Sequence, residues 1–448
     1  MIIKNAKYLL ISLCLSSAAA LNAATLAVLP GESIQAQIDA SSAGDIVVIF
    51  GGTYSEDITI NKSIRLFERP GDDVMLLGDV TFDGVTDAPP FEDFTVGSSG
   101  KDITVTDTTG LLIRAIDHSA GDDLQIDGSS DNTTIVACTL NWFDPDAGVM
   151  ELVDSTVNGR IQQGGGSLHT TNTTVNGNFE TTSNAVRTIA FRTTVSGDCN
   201  WNGNRSWFGY SAARSFNFSG SNARVVVVGS TIDRQNGGED GMYLVGNNNQ
   251  YTITNSVVER TNGSYDNDNN IDIRGSGHSV KILNNYIEKT MSLYSDRGDD
   301  YNIRIRDTTD VLIANNILAN GTQIENGMVD APFGVTVINN LLSRGTSRTT
   351  TGVVATNTTT GDPLFVDDDP YQLGEGSPCL DAGTEDPRYN DRDGSRNDIG
   401  PSGGAWFDPD GWTTENPVVI SFELSKDQIL EGDATPLLLQ EGLGVSIP

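Results

Sequence analysis

Positive charge is scarce in this sequence: 27 Lys and Arg stand against 60 Asp and Glu, for a net charge of −33. Such a chain repels nucleic acid, anionic lipid and bare polyuronates across a Debye length. Divalent cations, neutral glycans or plain solubility remain, and the acidic residues are diffuse enough that solubility is the simplest reading. Cysteine is also sparse. Setting aside Cys14 near the start leaves Cys138, Cys199 and Cys379, an odd set that makes no disulfide framework, although one pair could form. The three histidines, His118, His169 and His278, are scattered, and HExxH, CxxC and GxSxG are absent. That leaves zinc-protease and serine-hydrolase chemistry without support. No segment beyond the first few residues is apolar enough for a membrane helix. No stretch shows sustained helical periodicity, which excludes an α/β barrel or a doubly wound sheet.

The first residues read MIIKNAKYLLISLCLSSAAALNAA, with Lys4 and Lys7 ahead of an apolar run from Tyr8 to Leu13 and small residues up to Ala24. This is the layout of a secretory signal peptide over residues 1–23, too short to span a bilayer. Its removal would leave roughly 425 residues and a charge of about −35. Leu13 before Cys14 is larger than a lipoprotein signal wants, so no lipid anchor is expected.

What the sequence has in quantity is one phrase, rewritten. VLIANNIL at Val311–Leu318 returns as VKILNNYI at Val280–Ile287, VTVINNLL at Val335–Leu342 and YTITNSVV at Tyr251–Val258. Ten copies begin at Thr109, Thr133, Met150, Leu168, Thr188, Val225, Tyr251, Val280, Val311 and Val335, 17 to 37 residues apart. A fixed phrase at irregular spacing means a constant unit with variable loops. The third position is usually apolar (Ile253, Ile282, Ile313, Val337) and the eighth aliphatic (Val258, Ile287, Leu318, Leu342). Strict alternation would send these to opposite faces. The phase must therefore slip at positions five and six, where Asn255–Ser256, Asn284–Asn285, Asn315–Asn316 and Asn339–Asn340 stand. Asparagine tolerates the left-handed backbone that such a corner needs. The phrase is strand, corner, strand, and stacked asparagine ladders inside the turn are the expected use of the pairs.

Upstream of the later phrases lies a third strand: GMYLVG at Gly241–Gly246, NIDIRG at Asn270–Gly275 and YNIRIRD at Tyr301–Asp307. Three short strands per repeat make an all-β solenoid whose coils stack about 4.8 Å apart. Ser33–Leu66, SIQAQIDASSAGDIVVIFGGTYSEDITINKSIRL, adds a capping helix near Ile34–Ala40, a first strand at Asp45–Phe50 and a GGTY turn. With these features the chain resembles the right-handed, single-stranded parallel β-helix proteins of the pectate-lyase-like superfamily over roughly Ile34–Leu342. The β-helix is expected over residues 24–360. The fold hosts lyases, hydrolases, epimerases and adhesins, so it does not choose among them.

From Gly361 the text changes to GDPLFVDDDPYQLGEGSPCLDAGT and then NDRDGSRNDIGPSGGAWFDPDG. Residues 361–415 resemble the tail of exported bacterial β-helix proteins of the choice-of-anchor Q type, departing from it at Cys379 and at Pro401–Ser402. The resemblance implies export, a secreted or cell-surface location, and a tail that packs on or follows the solenoid. The loop Asp391–Gly394 lacks EF-hand spacing and reads as a turn before it reads as a Ca²⁺ site. Residues 416–448 form a short β-rich segment without legible chemistry.

If Ile271, Ile273, Ile303 and Ile305 point inward, then Asp272, Arg274, Arg304 and Arg306 point outward, with Asp272 beside Arg304 and Arg274 beside Arg306. Polar loops enter these strands and carry Asp266, Asp268, Arg297 and Asp299. The resemblance implies uronate-lyase chemistry: Arg304, Arg306, Arg274 and Asp272 in catalysis, Arg297, His278 and Tyr243 against substrate, and Asp266, Asp268 and Asp299 on a Ca²⁺ ion. Paired acids hydrolysing a glycosidic bond are the alternative chemistry. A non-catalytic surface adhesin or structural β-helix, with Asp272–Arg304 as a surface cross-strand pair, is the alternative without chemistry. The partner expected in either case is a polysaccharide or cell-surface glycan, with no nucleic acid; oligomeric state is left open. His278 sits in a turn, where a histidine is ordinarily a surface residue. Trp201 and Trp207 read as buried filler before they read as sugar-stacking rings.

Overall fold

A computed structural model describes residues 23–448 apart from 235–239, 261–268, 290–300, 309, 321–328, 331–333, 344–353, 368, 406, 408–417, 425–438 and 446–448. The chain winds into a parallel β-helix. One sheet stacks sixteen strands from Thr25–Val28 to Val354–Thr356, and a second of 24 strands holds the rest of each coil. Pairing is parallel and in register, as in Val280↔Val311↔Val335. The interior is a continuous aliphatic column in which Ile253, Ile282, Ile313 and Val337 follow one another, all buried. At the start, the helix Ile34–Ala40 closes the column with buried Ile34 and Ile38, and Ser33 caps it by accepting from the Ala36 N–H. A capped end removes the open sheet edge of a solenoid.

The corner has the expected geometry. Position five is left-handed in copy after copy, with φ of 51° at Asn255, 54° at Asn284, 60° at Asn315 and 53° at Asn339. The two members of each pair do different work. Position six points inward and forms a ladder. Ser211, Ser230 and Ser256 hydroxyls each accept the position-six N–H of the coil before. Asn285, Asn316 and Asn340 continue the series through Oδ1. An amide does more than a hydroxyl here: Asn316 Nδ2 also donates to Ala314 O in its own coil and Ile282 O in the one before.

Position five points outward and holds the tail. Asn255 Nδ2 donates to Pro401 O (2.9 Å) and Gly403 O (2.6 Å). Asn284 Nδ2 donates to Asn397 Oδ1, Asp398 O and Gly400 O. Asn315 Oδ1 accepts from Thr384 N, and Asn315 O from Gly400 N. The tail therefore lies along the side of the solenoid, against the corner. It covers outward apolar residues of the post-corner strands, Val257, Tyr286, Ile317 and Leu341, with Cys379 and Ile399. Asp391 accepts the N–H groups of Asp398 and Gly404, and Asp393 that of Ser395, so the Asp391–Gly394 loop is built as a turn.

Two details of the repeat differ from the sequence reading. The first copy starts at Leu111, not Thr109: the left-handed residue is Ala115 (φ 53°), and the eighth position is buried His118. A further copy occupies the 37-residue interval at Ser206–Ala213, with Tyr210 at the corner (φ 50°). Cys138, Cys199 and Cys379 are free, buried thiols. Trp201 lies in the core between Phe179 and Phe216, each 5.1 Å away, and Trp207 packs with Ile189, Phe191 and Val228.

Candidate functional site

In the middle coils the post-corner and third strands run together, as in Thr139–Pro145, Thr194–Trp201 and Ala212–Phe218. Further on they part into Val257–Arg260 and Ile271–Arg274, then Tyr286–Lys289 and Ile303–Arg306. Between them the long polar loops are inserted. The outer face of the third strands is a stack of polar side chains in register. From Asp144, which lies beside Gln162, it runs through Glu180, Asn200, Asn217, Tyr243, Asp272 and Arg304.

Toward the C-terminal end of this column Asp272 pairs in register with Arg304, which is followed by Asp330, and Arg274 with Arg306, while Ile271, Ile273, Ile303 and Ile305 are buried inward. Asp272 nevertheless is not an open surface carboxylate: it is 0 % exposed, covered by its neighbours. It is ion-paired with Arg274 of its own strand, whose Nε and Nη2 lie 3.0 and 2.7 Å from Asp272 Oδ2. A guanidinium fork on one carboxylate oxygen is a strong, oriented arrangement. Asn269 Nδ2 also donates to that oxygen, at 3.3 Å, and ties it to Asp240. Asp272 Oδ1 has no hydrogen-bond partner among the described residues, and neither has Arg306 Nε. The Arg274 guanidinium lies 4.9 Å from the Tyr243 ring centroid, and that of Arg304 5.5 Å from Tyr301. Aromatic faces thus hold two of the cations in place.

His278 is corrected. It is 2 % exposed and fills the turn below Arg274. Its Nδ1 accepts from Asn249 N (3.1 Å), which leaves Nε2 to donate to Arg274 O (3.2 Å). Both ring nitrogens are used by the backbone, so it orients the strand end from a buried position, not from the surface. Burial holds its pKa below the ordinary histidine value. Asp266, Asp268, Arg297 and Asp299 lie outside the described residues. Among the described residues no cluster of three His, Cys, Asp or Glu side chains could hold a metal ion.

Sequence reasoning missed the residues that clamp the loop ends. Asn270 Nδ2 donates to Val258 O and Glu288 O, and Asn302 Nδ2 to Ile287 O and Ala319 O. These bonds tie the start of each third strand back to the post-corner strands. The signal was there, an Asn immediately before IDI and before IRI. It is a local polar residue with no periodic meaning of its own. Tail and solenoid together enclose a cavity of about 480 Å³ lined in part by Glu259, Glu288 and Phe365. There Glu259 stacks on Glu288 of the next coil, and its carboxyl is raised by burial first and by the Glu288 charge second.

The fold defines the chain as a parallel β-helix protein. No protein-family model matches it, and no curated protein matches it. Solved structures that resemble it include an epimerase of mannuronan and lyases of pectate and alginate. The A-module of a mannuronan C-5 epimerase from Azotobacter vinelandii is 14% identical with a TM-score of 0.37, over 74% of this chain and 94% of that one. A pectate lyase is 15% identical with a TM-score of 0.27, over 84% and 95%. A PL6-family alginate lyase is 12% identical with a TM-score of 0.33, over 88% and 60%. At these identities the likeness is one of fold, and no residue role is carried across. No helix among the described residues is long and apolar enough to cross a membrane.

Proposed function

We propose that this protein acts outside the cell on a polysaccharide, and that Arg274, Arg304 and Arg306 hold the carboxylate of an acidic sugar. The observation that carries the reading is that Arg306 Nε and the buried Asp272 Oδ1 have no hydrogen-bond partner among the described residues, beside guanidiniums seated on tyrosine rings. Buried polar groups are nearly always paired, so two such atoms on adjacent strands, without partners among the described residues, support a place where a ligand completes the bonding. Three arginines also gather on two adjacent strands, interleaved with Asp272 and Asp330 in register, and a guanidinium can bind and orient a carboxylate through its fork of N–H donors.

Arginine stays protonated in proteins, so the guanidiniums would neutralise a uronate carboxylate rather than take its C5 proton. Proton abstraction would fall to Asp272, whose free oxygen is buried. The geometry thus supports binding more directly than β-elimination, and lyase activity is the finer part of the proposal. A Ca²⁺ ion held by Asp266, Asp268 and Asp299 belongs to that finer part, and EDTA treatment tests it. Export by the N-terminal segment and surface attachment through the tail complete the proposal. Alginate, pectate and glycosaminoglycans are the substrates to screen, by ultraviolet absorbance for unsaturated product and by binding. Arg304→Ala and Arg306→Ala should each weaken binding about tenfold or more, the loss of one charged hydrogen bond. Binding without product would make the protein an adhesin. Unchanged affinity in both variants would remove the site.

A further inference from the structure

Nearer its N-terminal side, 160 residues before Arg304 in sequence, the outer polar column has a different chemistry. Trp142 lies on the outer face of Thr139–Pro145 with 38 % of its surface exposed, one of the few large apolar side chains on view. Its indole lies flat on Gly159, where an added Cβ would sit 2.0 Å from Cδ1. The Arg160 guanidinium is 5.1 Å from the ring centroid, so the adjacent Gly159 and Arg160 together hold the indole in place. Beside the ring, Asp123 pairs in register with Trp142, and Asp144 stands two residues further along the same strand. Asp123 Oδ1, Asp144 Oδ1 and Arg160 Nε are buried with no hydrogen-bond partner among the described residues. Arg160 Nη2 comes only within 4.0 Å of Asp144 Oδ2.

An ordered, exposed aromatic ring edged by acceptors that lack donors is the chemistry of a sugar platform. The ring takes the apolar face of a pyranose, and the carboxylate oxygens accept its hydroxyls. Local charge sets the kind of sugar. Among the described residues Asp123, Asp144 and Asp146 gather around one cation, Arg160, with Asp102 and Asp122 close to Asp123. A uronate carboxylate would be repelled here, the reverse of the arginine end. We propose that Trp142, Asp123 and Asp144 form a binding site for an uncharged, hydroxyl-rich sugar unit. From Asp144 to Arg304 the column runs through Gln162, Glu180, Asn200, Asn217, Tyr243 and Asp272, seven coil steps of about 4.8 Å or ~34 Å in all. The site therefore stands apart from the arginines and does not depend on the function proposed for them. Were both ends to hold one chain, that chain would carry neutral and acidic sugars at different positions.

The test is tryptophan fluorescence of the whole protein, read as the difference between wild type and Trp142→Phe. The titrants are neutral oligosaccharides (cello-, xylo-, manno- and galacto-series) and oligogalacturonate. A saturable change with at least one neutral series is expected, with none for oligogalacturonate. Asp144→Asn should weaken that change about tenfold, and Arg304→Ala should leave it intact. No response to any neutral series, a response to oligogalacturonate alone, or one that persists in Trp142→Phe would overturn the proposal. Loss of the response in Arg304→Ala would show that the site is not separate from the arginine strip, and would overturn it as well.

Discussion

Asn316 Oδ1 accepts two hydrogen bonds from Asn285, one from its backbone N–H and one from its side-chain Nδ2, both 2.9 Å long. The bond repeats between Asn316 and Asn340 at 2.8 and 3.0 Å. Corner and ladder are thus one device. The left-handed residue turns the chain, and the residue after it ties that turn to the next coil.

Replacing Asn316 by alanine should be among the most damaging single changes in the solenoid. It strands the Asn285 N–H and the Ile282 and Ala314 carbonyls in a fully buried site. At about 1–3 kcal/mol for a buried group left unsatisfied, a loss of several kcal/mol is expected in urea unfolding. Asn316→Ser should cost less, because Ser230 and Ser256 fill the same position with a hydroxyl.

Asn284→Ala should leave the ladder intact and loosen the tail, since its Nδ2 donates only to Asn397, Asp398 and Gly400. Limited proteolysis should cut faster between residues 380 and 405, with β-sheet circular dichroism unchanged. Equal cutting rates would mean that the apolar contacts of Ile399 and Cys379 hold the tail unaided.

His278 makes a pH prediction with a definite sign. Its folded pKa is depressed by burial from an ordinary value of 6.5. The unfolded chain therefore takes up the proton first as pH falls, and stability present above about pH 6.5 is lost below it. His278→Asn should flatten the acid side of the stability curve between pH 6.5 and 5 relative to wild type. Parallel curves would show that the imidazole has the same pKa in the folded and the unfolded chain.

Glu92 carries the opposite chemistry to the same result. It lies buried between Arg65 and Arg114, and Arg65 chiefly, with Arg114, holds its carboxyl below the ordinary 4.5. That stability is present above about pH 4.5 and lost as acid titrates the folded group. Glu92→Gln should lower stability at neutral pH, and the gap from wild type should close below pH 4. A constant gap at all pH values would assign the effect to packing.

Much of this was legible in the sequence because the repeat is a physical constraint written many times. Apolar residues at positions three and eight with Asn or Ser between them admit one solution, and Asn315 and Ile313 take it. The misplaced first copy shows the limit. With Ala115 at the corner and His118 at the eighth position, an aliphatic rule slides two residues to Ile116. The copy at Ser206–Ala213 was hidden for a similar reason, since Tyr210 and Ala213 break both signatures. The docking of the tail was not legible at all. The outward amide of Asn284 looks the same whether it meets water or Asn397, 113 residues away. Among the site residues, the alternation of Ile with charge gave the directions of Arg274, Arg304 and Arg306. It did not give the burial of Asp272, which depends on Asn269 and the Arg274 fork, nor the closed turn around His278.

The most direct test is a crystal structure of the protein with an acidic oligosaccharide, tri- or tetragalacturonate or the corresponding oligoalginate. Sugar density over the third-strand face, with a carboxylate within hydrogen-bond distance of Arg304 or Arg306, is the predicted result. Density confined to another surface, with the Arg306 Nε and Asp272 Oδ1 still unpaired, would contradict it.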